Sequence, residues 1–176
     1  MNDPLQFFGD DLIAEVGRIA VLRGWLRSTL TGMISTLLCN ERPVPGVASA
    51  MFKDRGIPDL LSVLITTASA RGVPTSAIDN LKRISVGYHE DFTAAAAIAN
   101  GAWSLLGGEP ARYGLSLGQQ LEKSGLVAQW RSYTVGDLAG LGNRLIDACK
   151  LLPGTATWNH ITRSEAEGGI ADRMEQ

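Results

Sequence analysis

The sequence predicts a mainly α-helical bundle of four to five helices with a small β-hairpin before the last helix. Three observations carry this expectation. Apolar residues recur at alternating steps of four and three along residues 10–38. Proline and glycine stand where one helix must stop and the next begin. Only the region from about Arg112 to Tyr133 alternates apolar and polar residues with the period of a strand.

Residues 1–9 read as a lead-in whose Phe7 and Phe8 are available to pack on a neighbour. Asp10 or Asp11 caps the first helix, where a carboxylate also suits the positive end of the helix dipole. The stripe Leu12, Val16, Ile19, Leu26, Leu30, Met33 and Leu37 is interrupted once, by Arg23. A charge on an apolar face is costly unless its stem packs while the guanidinium reaches water or a partner. Pro43 and Pro45 end this helix, and a short helix from about Val47 to Lys53 follows. Pro58 fits the first turn of a third helix, which runs to about Ala70 and stops at Arg71-Gly72-Val73-Pro74.

Thr75 or Ser76 then caps a long helix expected to continue to about Leu105, weakened at Gly87, which marks either a bend or a close approach. Its second half, Leu81 to Trp103, contains the run Ala94 to Ala97 around which the chain is organised, since small side chains admit a close helical neighbour. Gly107-Gly108-Glu109-Pro110 breaks the pattern. Arg112–Leu117 and Leu126–Tyr133 read as two antiparallel strands around Glu122-Lys123-Ser124-Gly125, with a helix as the competing assignment for Leu117–Lys123. Thr134, with Asp137 three residues on, is a capping-box pattern opening the last helix. Pro153-Gly154 closes it, and residues 153–176 read as a flexible tail in which Trp158 and Ile161 are the residues able to dock. Residues 10–152 are thus expected to form one bundle.

Composition narrows the function classes. Apolar residues make up 45% and charged residues 19% of 176, which is the balance of a folded chain rather than a disordered one. Net charge is -2 with no block of Lys and Arg, so a wide phosphate-binding footprint for RNA or DNA has no support. Cys39 and Cys149 form no CxxC pair or Cys/His cluster, so neither a metal nor another cofactor is expected, and both read as buried thiols in a reducing compartment. Met1-Asn2-Asp3-Pro4 is acidic rather than basic, and no apolar run reaches the roughly eighteen residues of a spanning helix. The expectation is a cytoplasmic protein that does not enter a membrane. The richness in alanine, glycine and leucine is compatible with a high-GC bacterial or phage source.

The order of pieces resembles a class of bacterial helical proteins related to HEPN domains. The resemblance rests on Gly17-Arg18-Ile19-Ala20-Val21 with Trp25 in the first helix, Asp59-Leu60-Leu61 in the third, and Tyr133-Thr134-Val135-Gly136-Asp137-Leu138 opening the last. It covers about residues 10–152. It implies a helical bundle that dimerises and acts in defence, toxin–antitoxin or phage-related settings. In active HEPN ribonucleases an arginine precedes a histidine by a spacer of about four to six residues, and two such sites meet across a dimer. Imidazole moves the proton and guanidinium stabilises the charge growing on phosphate. Here Asn100, in Asn100-Gly101-Ala102-Trp103, takes the place of the histidine and Ala95 that of the arginine. Neither performs those roles at neutral pH.

A rival catalytic pair is Arg83 and His89, in Arg83-Ile84-Ser85-Val86-Gly87-Tyr88-His89, for a metal-independent RNase. Weighed against it is an exposed pair on a wet helix face beside Glu90 and Asp91. Arg23, Asn100 and Trp103 are the candidates for a polar ligand-binding pocket. Trp130, Arg131 and Tyr133 are either a stacking surface for a base or ligand, or hairpin packing. Gly114-Leu115-Ser116-Leu117-Gly118 spells a nucleophile-elbow pattern but falls in an expected strand, not at a strand-to-helix turn. The reading that absorbs most of these observations is a non-catalytic protein acting by homodimerisation, through the alanine-bearing or the first helix, and by binding a protein partner.

Overall fold

A computed structural model describes residues 8–39, 50–107, 111–122, 125–154 and 157–159. The elements run α1 (Asp10–Leu38), α2 (Ile57–Ala70), α3 (Thr75–Gly87), α4 (His89–Asn100), β1 (Ala102–Gly107), β2 (Arg112–Glu122), β3 (Gly125–Tyr133) and α5 (Val135–Leu151). The architecture is mainly helical with one small antiparallel sheet of order β1-β2-β3. The backbone forms two compact units. One holds residues 1–23 and 90–146, the other residues 24–89 and 147–176.

The first unit contains the opening of α1, α4, the sheet and most of α5. Leu12, Ile19, Phe92, Ala95, Ile98, Leu115, Leu138, Leu141 and Leu145 are its buried apolar residues. Arg18 ties α1 to α5: its guanidinium donates to the Ala139 carbonyl at 2.9 Å and to Asn143 Oδ1 at 3.2 Å, while Glu15 holds it one turn back. A side chain at Gly142 would run into that guanidinium, so the glycine makes room for it. Asp91 on α4 receives Arg144 Nε on both carboxylate oxygens, at 3.0 and 3.2 Å. Phe8, at the end of the expected lead-in, packs on Tyr113 with ring centroids 6.3 Å apart.

The long helix expected from residue 75 to 105 is two helices and a strand. Tyr88 leaves helical geometry at φ -119°, ψ 14°, one residue after the helix-weakening Gly87. α4 then ends at Asn100, and at Gly101 a Cβ would strike the Leu115 side chain and the Ala97 carbonyl. Only glycine permits that approach, and the chain leaves it as β1. The expected hairpin is therefore the central strand and one edge strand, β2 and β3, of a three-stranded sheet. β2 is strand throughout, which removes the helical alternative for residues 117–122. Bulges interrupt the pairing at Leu105/Gly107 and at Ser116/Gly118.

The second unit is built on the later part of α1, with α2, α3 and the end of α5. Leu26, Leu30, Met33, Ile34 and Leu37 are buried along α1, as its spacing requires. Leu60, Leu61, Leu64 and Ala68 on α2, with Ile78, Leu81 and Ile84 on α3, complete the core. α2 stops as expected: Gly72 takes φ 73°, and the Val73 N–H reaches back to the Ala68 carbonyl at 3.0 Å. Thr75 and Ser76 lie inside the first turn of α3, whose capping position is Pro74, without a side-chain cap. Of the short helix expected near Val47–Lys53, residues 50 and 51 are helical and 52 and 53 form a turn, while residues 47–49 lie outside the described residues, as does Ile161.

Within the expected flexible tail, residues 157–159 are helical and Trp158 is packed. Trp158 is 0% exposed and its indole N–H donates to the Met33 carbonyl at 3.2 Å. A large aromatic surface is reason enough to fold this segment back, and the hydrogen bond satisfies its one polar atom. Replacing Trp158 by alanine is expected to cost about 3–5 kcal/mol in urea unfolding. Trp158→Phe, which keeps most of the apolar area, is expected to cost less than half as much, and equal losses would count against burial as the cause.

Candidate functional site

The sheet sorts its residues by register. Leu105, Tyr113 and Tyr133 share one rung, and Trp103, Leu115 and Arg131 share another on the same face. Between them lie the rungs of Ser104, Gly114 and Ser132, and of Ala102, Ser116 and Trp130, on the opposite face. The first face is packed at Leu115, Tyr113 and Tyr133, which are buried, and at the half-buried Trp103, while Leu105 and Arg131 are exposed. The second is open to solvent.

On the packed face, Trp103 and Tyr133 meet with ring centroids 5.8 Å apart and planes tilted by 54°. The Trp103 indole N–H donates to the Ile98 carbonyl at 3.4 Å, near the end of α4. The Arg131 guanidinium lies 5.5 Å from the centre of the Tyr133 ring, a cation–π arrangement. The Tyr133 hydroxyl is buried without a hydrogen-bond partner among the described residues. Burial pushes its pKa above the ordinary tyrosine value, opposed by Arg131 and reinforced by Asp137. Below the next turn of chain, Thr134 and Asp137 close the expected capping box. The Thr134 N–H donates to Asp137 Oδ2 at 2.8 Å, and the Asp137 N–H donates to Thr134 Oγ1 at 3.1 Å. These bonds, the backbone one first, hold the Asp137 carboxyl below its usual range.

On the open face, Leu106 and Trp130 converge over Gly114. A methyl group at Gly114 would sit 3.1 Å from Leu106 Cδ2 and 3.2 Å from Trp130 Cε3. Both covering side chains remain about half in water, at 56% and 51% exposure. Around them the paired residues are Ala102, Ser104, Ser116 and Ser132, so the patch is apolar at its centre and uncharged along its register. Large apolar side chains grouped in this way are the ordinary mark of a surface that meets another molecule.

The residues singled out from sequence distribute as follows. Arg83 is exposed on α3 and donates to Asn80 Oδ1 at 3.5 Å, one turn back. Asn80 itself donates to the Leu151 carbonyl at the end of α5. His89 is exposed at the start of α4, on the far side of the Tyr88 break. Arg23 is half-buried on α1, and Asn100 is exposed at the last position of α4. Trp103 is engaged in packing, its N–H already spent on Ile98. Of the cluster Trp130, Arg131 and Tyr133, the last two pack together and Trp130 stands on the opposite face. Ala95, in the place of the family arginine, is buried in the core. Ser116 of the elbow-like pattern lies in β2.

Gly101, Gly114, Gly142 and Leu106 are the positions that sequence reading passed over. The signal for Gly101 was its place directly after a helix ending in asparagine; nothing local marks the others. Among the described residues there is no group of three or more His, Cys, Asp or Glu side chains able to hold a metal ion. No described helix is long and apolar enough to cross a membrane. Comparison with protein-family models, curated proteins and solved structures gives no match.

The orphan hydroxyl makes a specific prediction. Above about pH 10 the unfolded chain ionises Tyr133 while the folded chain keeps it neutral, so stability is complete below that pH and falls as pH rises through the folded-state pKa. Tyr133→Phe removes both the unsatisfied group and its titration. It is expected to gain about 1 kcal/mol at neutral pH and to flatten the alkaline limb of the stability profile, measured by denaturant unfolding between pH 8 and 11. Loss of stability at neutral pH would show that the hydroxyl has a partner.

Proposed function

We propose that this chain is a HEPN-like helical protein without nuclease chemistry, acting by association in the cytoplasm of a bacterium or phage-infected cell. It forms a homodimer and binds a protein partner, in a defence or regulatory role. The observation that supports this reading is the pairing of Leu106 and Trp130 over Gly114 on the open face of the sheet. Holding two large apolar side chains half in water has a cost that association removes, at about 25 cal/mol per Å² covered. Asn100 and Ala95, in the places of the family's histidine and arginine, offer neither a proton shuttle near neutral pH nor a fixed cation.

Light scattering on a dilution series is expected to return twice the 18.8 kDa chain mass at micromolar concentration, and a monomer there would sink the homodimer. Trp130→Ser is expected to weaken self-association or partner capture while leaving the far-UV circular dichroism unchanged.

A second reading, a metal-independent RNase, draws on the exposure of both Arg83 and His89. It requires RNA cleavage that survives EDTA and disappears in His89→Ala. The expected outcome is intact RNA at high protein concentration, for the wild-type chain and the variant alike. A third, ligand binding near Arg23, Asn100 and Trp103, requires stabilisation by a small molecule in a thermal-shift screen, since a ligand stabilises the state that binds it.

A further inference from the structure

A helix at a protein surface ordinarily turns its charged residues toward water. α1 does not. Its charged residues between Ile13 and Leu38 are Glu15, Arg18, Arg23 and Arg27, and all four are half-buried. Every exposed residue over the same span is uncharged. The largest on the outer face are Val21 and Trp25, one turn apart, at 72% and 49% exposure. Beside them Gly24 and Gly32 have open space where a Cβ would stand, so another segment can approach the backbone closely. Large apolar side chains on a face without charge mark a surface that another segment covers.

We infer that the cover is this chain's own segment 160–176, lying antiparallel along the outer face of α1. The described chain ends beside that face. Trp158 is anchored to the Met33 carbonyl, and Thr36 Oγ1 donates to Asn159 Oδ1 at 3.5 Å. Thr36 stands one turn beyond Gly32, so residue 160 sets out from the C-terminal end of the face. From Thr36 back to Val21 is about 22 Å at the helical rise, within reach of residues 160–176 whether helical or extended. Wound as a helix from the Thr36–Asn159 junction, the segment brings Ile170 and Ala171 level with Trp25 and Gly24. Met174 then comes level with Val21. Gly168-Gly169 weakens such a helix in isolation, so it forms on the face rather than ahead of docking. This goes beyond the association reading and does not depend on it, since it uses α1 and not the sheet.

The test is hydroxyl-radical footprinting of the full chain, read at each tryptophan by mass spectrometry. Ile170→Asp with Met174→Asp removes the apolar residues that meet the face and sets carboxylates against it. Oxidation of Trp25 is expected to rise about fivefold in that variant. Trp158 stays protected in both chains, which reports an intact core. Equal Trp25 oxidation in the two chains, with Trp158 protected, overturns the docking and leaves the association reading untouched. If the variant exposes Trp158 as well, a crosslink decides instead. Gly24→Cys with Ala171→Cys is expected to give a disulfide within one chain on mild oxidation, mapped between positions 24 and 171. Absence of that bond overturns the proposal.

Discussion

The constraint on which the rest depends is the apolar stripe of α1. Leu12, Ile19, Leu26, Leu30, Met33 and Leu37 are all buried along its 29 residues, and each of the two units takes its share of that stripe. A helix of this length gains little from intrinsic propensity. Its persistence comes from the face it buries, at about 1.5–3 kcal/mol for each large apolar side chain taken out of water. Where the stripe carries Arg23, the position is only half-buried, which fits a long stem packing while its charge keeps contact with solvent. Arg18, one turn earlier and off the stripe, does a different job. Its guanidinium meets a carbonyl and an amide of α5 that lie more than a hundred positions away in sequence.

Glycines decide where elements may approach one another. Gly101 lets α4 end against Leu115, Gly142 admits the Arg18 guanidinium, and Gly114 lies beneath Leu106 and Trp130. At Gly101 and Gly142 a Cβ would occupy space already filled, and at Gly114 it would crowd its neighbours, so the pressure is steric rather than conformational. At Gly101 the chain passes from α4 into β1, and Trp103 in that strand packs on Tyr133.

The functional reading follows from what these constraints leave over. Trp103 and Arg131 both pack on the Tyr133 ring, and Arg83 engages Asn80. The open face of the sheet keeps Leu106 and Trp130 about half in water.

Local chemistry was enough to read α1, α2 and α5 nearly to the residue, because their apolar spacing, Pro58, Gly72 and the Thr134–Asp137 box each act within a turn or two of chain. The strand character of residues 112–117 and 126–133 was legible for the same reason. Leu81–Trp103 read as one helix because its alanines favour one, and nothing nearby in sequence announces that Leu115 will crowd Gly101. Trp158 read as part of a loose tail because its partner, the Met33 carbonyl, sits in a helix 125 positions earlier. The candidate site divided in the same way: exposed Arg83 and His89 were visible as a pattern, whereas the patch of Leu106 and Trp130 exists only once two strand pairings bring them over one glycine. Short-range sterics and capping are written in neighbouring residues; which surfaces meet, and which stay open, was settled by packing between segments far apart in the chain.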